Sequence, residues 1–200
     1  LLGSLFGGRF GGGRAGPRRG RDVEAELKID LPLSVKGGTT TLRLLQAGRD
    51  TVEVKVPAGV REGQALRLAG LGQPGANGGP AGDLLIRLKI LEHPHYRREG
   101  DDLHVEVPVS LGEAIRGGKV SFEGPTGEVG LKLPPGTQSG QTFRLRGLGA
   151  RKGGNLYARI LVTAPPADST REEARQQELA ELAEKLDGFY PDDLRGQVRF

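Results

Sequence analysis

The side chains whose spacing most invites chemistry sit in the stretch from His93 to Lys119, HPHYRREGDDLHVEVPVSLGEAIRGGK. His93-Pro94-His95 holds two imidazoles two residues apart, a spacing that suits a metal ion if a third ligand is close. No third ligand follows nearby, and the segment reads as a turn between two units. Asp101-Asp102 is a pair of adjacent carboxylates beside Arg97 and Arg98. Acid–base catalysis would call for a desolvated carboxylate, whereas a polar turn favours exposed ion pairs. A nucleophile elbow, a phosphate-binding Gly-Lys-Ser/Thr loop and a dinucleotide fingerprint are all missing. The sequence has no cysteine, which excludes disulfides and thiolate metal sites. The expectation is a binding module rather than an enzyme, with no cofactor and no metal.

The same stretch closes one half of the chain and opens a second copy of it. DVEAELKIDLPLSVKGGT from Asp22 is echoed by DLHVEVPVSLGEAIRGGK from Asp102. VPAGVREGQALRLAGLG from Val56 recurs as LPPGTQSGQTFRLRGLG from Leu133, and GDLLIRL from Gly82 as GNLYARI from Gly154. Several motifs recurring in one order mean one fold unit used twice.

Within each copy the periodicity is that of strands. Val23, Ala25, Leu27 and Ile29 alternate with charged residues, as a half-buried strand does. Asp30 is placed to cap one helical turn containing Pro32 and ended by Gly37-Gly38. In the second copy Ser110-Leu-Gly-Glu113 is a capping box before Gly117. Further strands are expected over 39–45, 51–56, 65–68 and 83–91, and in the second copy over 103–109, 119–122, 128–133, 142–145 and 155–162. Short strands at this spacing indicate an all-β protein of two tandem β-sandwich-like domains with short helical turns. After Pro165-Pro166, Ser169–Glu172 forms a capping box and a C-terminal α-helix is expected to about Leu186. Leu179, Leu182, Ala183 and Leu186 make one narrow apolar stripe on it.

The ends differ from the middle. LLGSLFGGRFGGGRAGPRRG cannot bury enough surface to order its backbone and is expected to be a disordered tether. Its arginines, Arg9 to Arg21, concentrate a charge that is only +4 overall. Aromatic residues make up 4%, few for a protein that stacks bases. No apolar run approaches the ~20 residues of a membrane span, no signal peptide is visible, and the cytoplasm is expected. Leu1 is not a start methionine, which suggests a chain lacking its native N-terminus.

A Gly/Phe stretch, a β unit ending in HPHYRREGDDL, then VPVSLGEAIRGGKV, LPPGTQSGQTFRLRGLG and GNLYARI resembles the C-terminal client-binding region of DnaJ-type J-domain co-chaperones. The likeness covers about Gly3 to Leu186. Without cysteines it is similar to the class lacking the zinc finger, CbpA-like proteins included. The J-domain's His-Pro-Asp tripeptide is not in this sequence, and the first copy has Leu31-Pro32-Leu33-Ser34 where an acidic turn like Leu111–Ala114 is usual. The resemblance implies a Gly/Phe/Arg-rich linker over 1–21, a client-binding β domain over 22–99, a second β domain over 100–166, and a dimerising helix and tail over 167–200. It implies an open hydrophobic groove using Ala25, Leu27, Leu42, Leu44 and Ile86, and dimer contacts through Leu179, Leu182 and Leu186. Implied partners are unfolded or misfolded polypeptides, a DnaK-type ATPase chaperone and a second copy of the chain. DNA binding of the curved-DNA or nucleoid kind is the alternative.

Overall fold

The computed structural model describes residues 16–44, 51–165 and 173–190. The first copy runs β1 (Val23–Ile29), α1 (Leu31–Lys36), β2 (Gly38–Leu42), β3 (Val52–Val56), β4 (Ala65–Leu68) and β5 (Leu84–Ile90). The second runs β6 (Tyr96–Glu99), β7 (Asp102–Ser110), α2 (Leu111–Arg116), β8 (Gly118–Gly124), β9 (Gly127–Leu133), β10 (Thr142–Arg146) and β11 (Asn155–Thr163), and α3 (Glu173–Asp187) follows. The chain is all-β with a C-terminal helix. It divides between Thr163 and Ala164 into two compact units, α3 lying in the second.

Each copy pairs its first and last strands in parallel. β1 lies beside β5 from Val23↔Leu84 to Ile29↔Ile90, and β7 beside β11 from Leu103↔Leu156 to Thr163↔Ser110. β4 joins β5 and β10 joins β11 antiparallel. The remaining strands form two separate hairpins, β2–β3 and β8–β9. One core gathers the inward residues of β1, β3 and β5 with Leu42 and Leu44; another gathers those of β7, β9 and β11. Alternation carries this directly: on β3, Val52, Val54 and Val56 are buried while Glu53 and Lys55 are exposed. Leu31 and Val35 of α1 belong to the second copy's core, and Ile90 packs against both.

A repeated aspartate sets the start of each parallel pair. Asp22 Oδ1 accepts the backbone N–H of Asp83 at 2.7 Å, and Asp102 Oδ1 accepts that of Asn155 at 2.6 Å. Gly82 and Gly154 precede those strands, and there the chains approach so closely that a Cβ would fall 2.1 Å from Arg21 O and 1.9 Å from Asp101 O. Both helical turns form despite their different sequences. Asp30 accepts from the N–H of Leu33, whereas Ser110 and Glu113 make the full reciprocal capping box.

Tyr96–Glu99, expected to be no strand, is strand β6, paired antiparallel with β7; four residues with a single alternation leave too little pattern to recognise. The strand expected over 39–45 is Gly38–Leu42, and residues 45–50 lie outside the described part. The tether expected over 1–21 falls outside it as far as residue 15, as does the capping box at Ser169–Glu172. From Arg18 the backbone is held: Arg18 exchanges hydrogen bonds with Ala76, and Gly20 donates to Pro80 O.

Candidate functional site

β2 is paired only with β3, so its other edge carries backbone donors and acceptors that no strand of the described residues meets. Its inward residues, with Leu44 just beyond, reach the first core. Thr40 is half-buried, Leu42 is 8% exposed and Leu44 9%. Leu27 on β1 is 5% exposed and Ile86 on β5 not at all. These residues were expected to line an open groove; in this structure they are core, and only Ala25 is half-buried. The physical reason is that the β2–β3 hairpin shares one core with the β1–β5–β4 sheet and covers the leucines. Alternation reveals which face a side chain takes but not what lies over that face. The five residues are nevertheless brought to a single cluster, to which β2 contributes Leu42.

The matching strand of the second copy is more open. Val120 and Phe122 on β8 are half-buried and pack at the margin of the second core. β8 also has one unpaired edge among the described strands.

The apolar stripe of α3 is largely exposed. Leu179 is 41% and Leu182 50% exposed, and Leu186 is half-buried. Phe189 and Tyr190 beyond it are exposed too.

Asp101 makes the exposed ion pairs expected of a polar turn, 3.3 Å from Arg61 and 4.0 Å from Arg151, and its charge also acts on Arg98. Arg61 and Arg151 are distant in sequence and are brought beside it by the fold. Asp102 is the strand-pinning acceptor described above. His93 Nδ1 accepts the backbone N–H groups of His95 and Tyr96, both at 3.2 Å, so it organises the inter-unit turn. Among the described residues no three potential metal ligands cluster.

Sequence reasoning missed two features. Asp83, nearly buried, is clasped by Arg67 and by Arg19 at 2.8 Å, and accepts the Gly70 N–H at 2.9 Å. The Gly70 hydrogen bond, then the Arg67 guanidinium, hold its carboxyl below its ordinary value. The signal was a charge change within a repeated motif, Asp83 where the second copy has Asn155. The other is a cavity of about 620 Å³ at the junction of the two copies, walled by Leu31, Ile90 and Tyr96 with Arg61 and Arg98 at its polar side. Arg98 donates to Val60 O at 2.6 Å and to Gly100 O at 2.9 Å, which ties the two copies together. Burial lowers its pKa. No local pattern announces a cavity made by residues from both copies.

What the arrangement offers chemically is a free backbone edge on a strand that contributes to an apolar cluster, suited to holding an extended chain. Residues 23–165 match the family model described as the DnaJ C terminal domain. The chain is 41% identical to a protein named Chaperone protein DnaJ from Janthinobacterium sp. (strain Marseille), over 66% of this chain and 37% of that protein. It is 40% identical to Chaperone protein DnaJ 2 of Thermus thermophilus, over 88% of this chain and 62% of that one. A protein named Curved DNA-binding protein from Pseudomonas putida is 36% identical over 91% of this chain and 64% of its own length. The chain thus spans less than two thirds of the length of these curated relatives.

Proposed function

The chain belongs to the DnaJ C-terminal domain family, and from that premise we propose that it is the client-holding part of a co-chaperone. It captures extended apolar segments of unfolded polypeptide and passes them to a DnaK-type ATPase chaperone, and it catalyses no reaction of its own. The client adds as a strand along β2, with backbone hydrogen bonds giving affinity and alternate side chains entering the space beside Ala25, Leu27, Leu42, Leu44 and Ile86. The observation that carries this is the unpaired edge of β2, a strand whose Leu42 belongs to that single apolar cluster. Because the leucines are covered in the free chain, the hairpin must shift outward for client side chains to reach them. The first copy, residues 22–99, is the client-binding domain, and residues 167–200 join two chains into a cytoplasmic homodimer.

Leu42→Ala tests the site. A lost apolar contact of ~1.4 kcal/mol is about a tenfold loss of affinity, and that is the expected weakening toward an unfolded model client. Leu42 belongs to the first core, so thermal unfolding is measured beside affinity, and the affinity of the folded variant is the readout. Val54→Ala, wholly buried on β3, is the control: it lowers stability and leaves affinity unchanged. A folded Leu42→Ala protein with undiminished client affinity would refute the groove.

The name of the Pseudomonas putida relative supports DNA binding as the second reading. A binder working through arginine and lysine on phosphates loses affinity steeply with added salt, and apolar client binding does not.

A further inference from the structure

All three histidines of the sequence, His93, His95 and His104, line one cavity of about 350 Å³ together with Tyr157. The cavity lies on the outward face of the β10–β11–β7–β6 sheet. Strand register puts Arg97, His104, Tyr157 and Arg144 in one row across all four strands of that sheet. The two middle rings are stacked, 5.0 Å between centroids and 15° from parallel. The neighbouring carboxylates are engaged: Glu99 lies 3.4 Å from His104 Nε2, and Glu106 lies 3.4 Å from Arg159. Arg97 and Arg144, at the two ends of the row, are exposed and have no carboxylate partner among the described residues. The face therefore combines planar rings with unneutralised planar cations.

We propose that this sheet face binds single-stranded nucleic acid, one base packing on the Tyr157–His104 rings and the flanking phosphates meeting Arg97 and Arg144. Base–aromatic stacking beside a cationic track is the chemistry of sequence-tolerant single-strand binding. Guanidinium groups suit both halves of the ligand, since they stack on rings and pair with phosphate. The cavity is within the size range of small-ligand sites, ~300–1,000 Å³, so it admits one nucleotide and not a duplex. In a duplex the bases are occupied in the stack and cannot reach the rings. Aromatic residues are few in this chain, but the rings that matter are gathered in one place. The site is on the second copy and does not depend on the client reading.

The experiment titrates the full chain with a fluorescent oligothymidylate, with an abasic strand of the same length, and with a duplex of the same length. Arginines of the first twenty-one residues contribute to every arm, so the ratio of affinities reports the sheet face. The single strand should bind more tightly than both other ligands. Loss of a stacked base is worth about tenfold in affinity, and Tyr157→Leu should weaken oligothymidylate binding by that factor while abasic binding stays the same. Tyr157→Phe should keep wild-type affinity. His104→Ala, on a half-exposed side chain, should weaken single-strand binding in the same sense and decides the matter if Tyr157→Leu does not fold. Equal affinity for the abasic strand and oligothymidylate would overturn the proposal, leaving charge alone or an acidic polypeptide as the ligand. So would tighter binding of the duplex, or undiminished oligothymidylate binding by a folded Tyr157→Leu or His104→Ala protein.

Discussion

Asp22 and Asp102 do the same work in the two copies, each accepting a backbone N–H at the start of the last strand of its copy, from Asp83 just before β5 and from Asn155 of β11. Removing the acceptor leaves a backbone donor unpaired at a half-buried position, a cost of about 1–3 kcal/mol. Asp102→Ala should lower urea-unfolding stability by that amount, whereas Asp102→Asn keeps an oxygen in place and should cost less. Asp83 makes a prediction about acid. Its carboxyl is held below the ordinary 3.8 by the Gly70 hydrogen bond and Arg67. A depressed folded-state pKa contributes stability that is fully present above the unfolded value and fades as pH falls through the folded one. Thermal unfolding followed from neutral pH down below 3.8 should therefore show an acid limb. In Asp83→Asn that limb should be shallower and neutral-pH stability lower, and an unchanged limb would show that Asp83 adds nothing to it.

At the scale of elements, two six-residue helices occupy equivalent places with different caps. Each is too short to persist without its cap and tertiary packing. Ser110→Ala removes the oxygen that accepts the Glu113 N–H at 3.1 Å and should cost about 0.5–2 kcal/mol. The two hairpins diverge more than the helices do. β2 covers its leucines closely, while β8 leaves Val120 and Phe122 half-buried. The covered site is proposed to open for a client, so binding there has a conformational cost that the second copy would not incur. The helix caps were legible in the sequence because Asp, Ser, Glu and Gly act through their immediate neighbours. β6 was not, since its existence depends on β7 lying beside it.

At the scale of the molecule, α3 presents Leu179 and Leu182 to solvent. An apolar stripe on a helix is stable when something covers it, and a second copy of the same helix is the occupant proposed here. The chain ending at Ala167 should sediment as a monomer at concentrations where the full chain sediments as a dimer. If both sediment as monomers at micromolar concentration, the dimer assignment fails. Two client sites in one dimer would engage a long unfolded chain together, so the truncated protein should also lose apparent affinity for a long client more than for a short peptide.

The sequence by itself determined the duplication, the strands with clear alternation, both helix caps and the family likeness. All of these rest on contacts between near neighbours or on order along the chain, which periodicity and motif spacing record directly. The family likeness, and not periodicity, brought Ala25, Leu27, Leu42, Leu44 and Ile86 together as one set. Whether that set is open or covered was decided only by the tertiary structure, because a buried leucine and a groove leucine produce the same alternation. The partners of Asp101, the clasp on Asp83, and the row from Arg97 to Arg144 belong to the same kind. Each joins residues that strand register and the packing of the two copies bring together, and no local stretch of sequence carries that register.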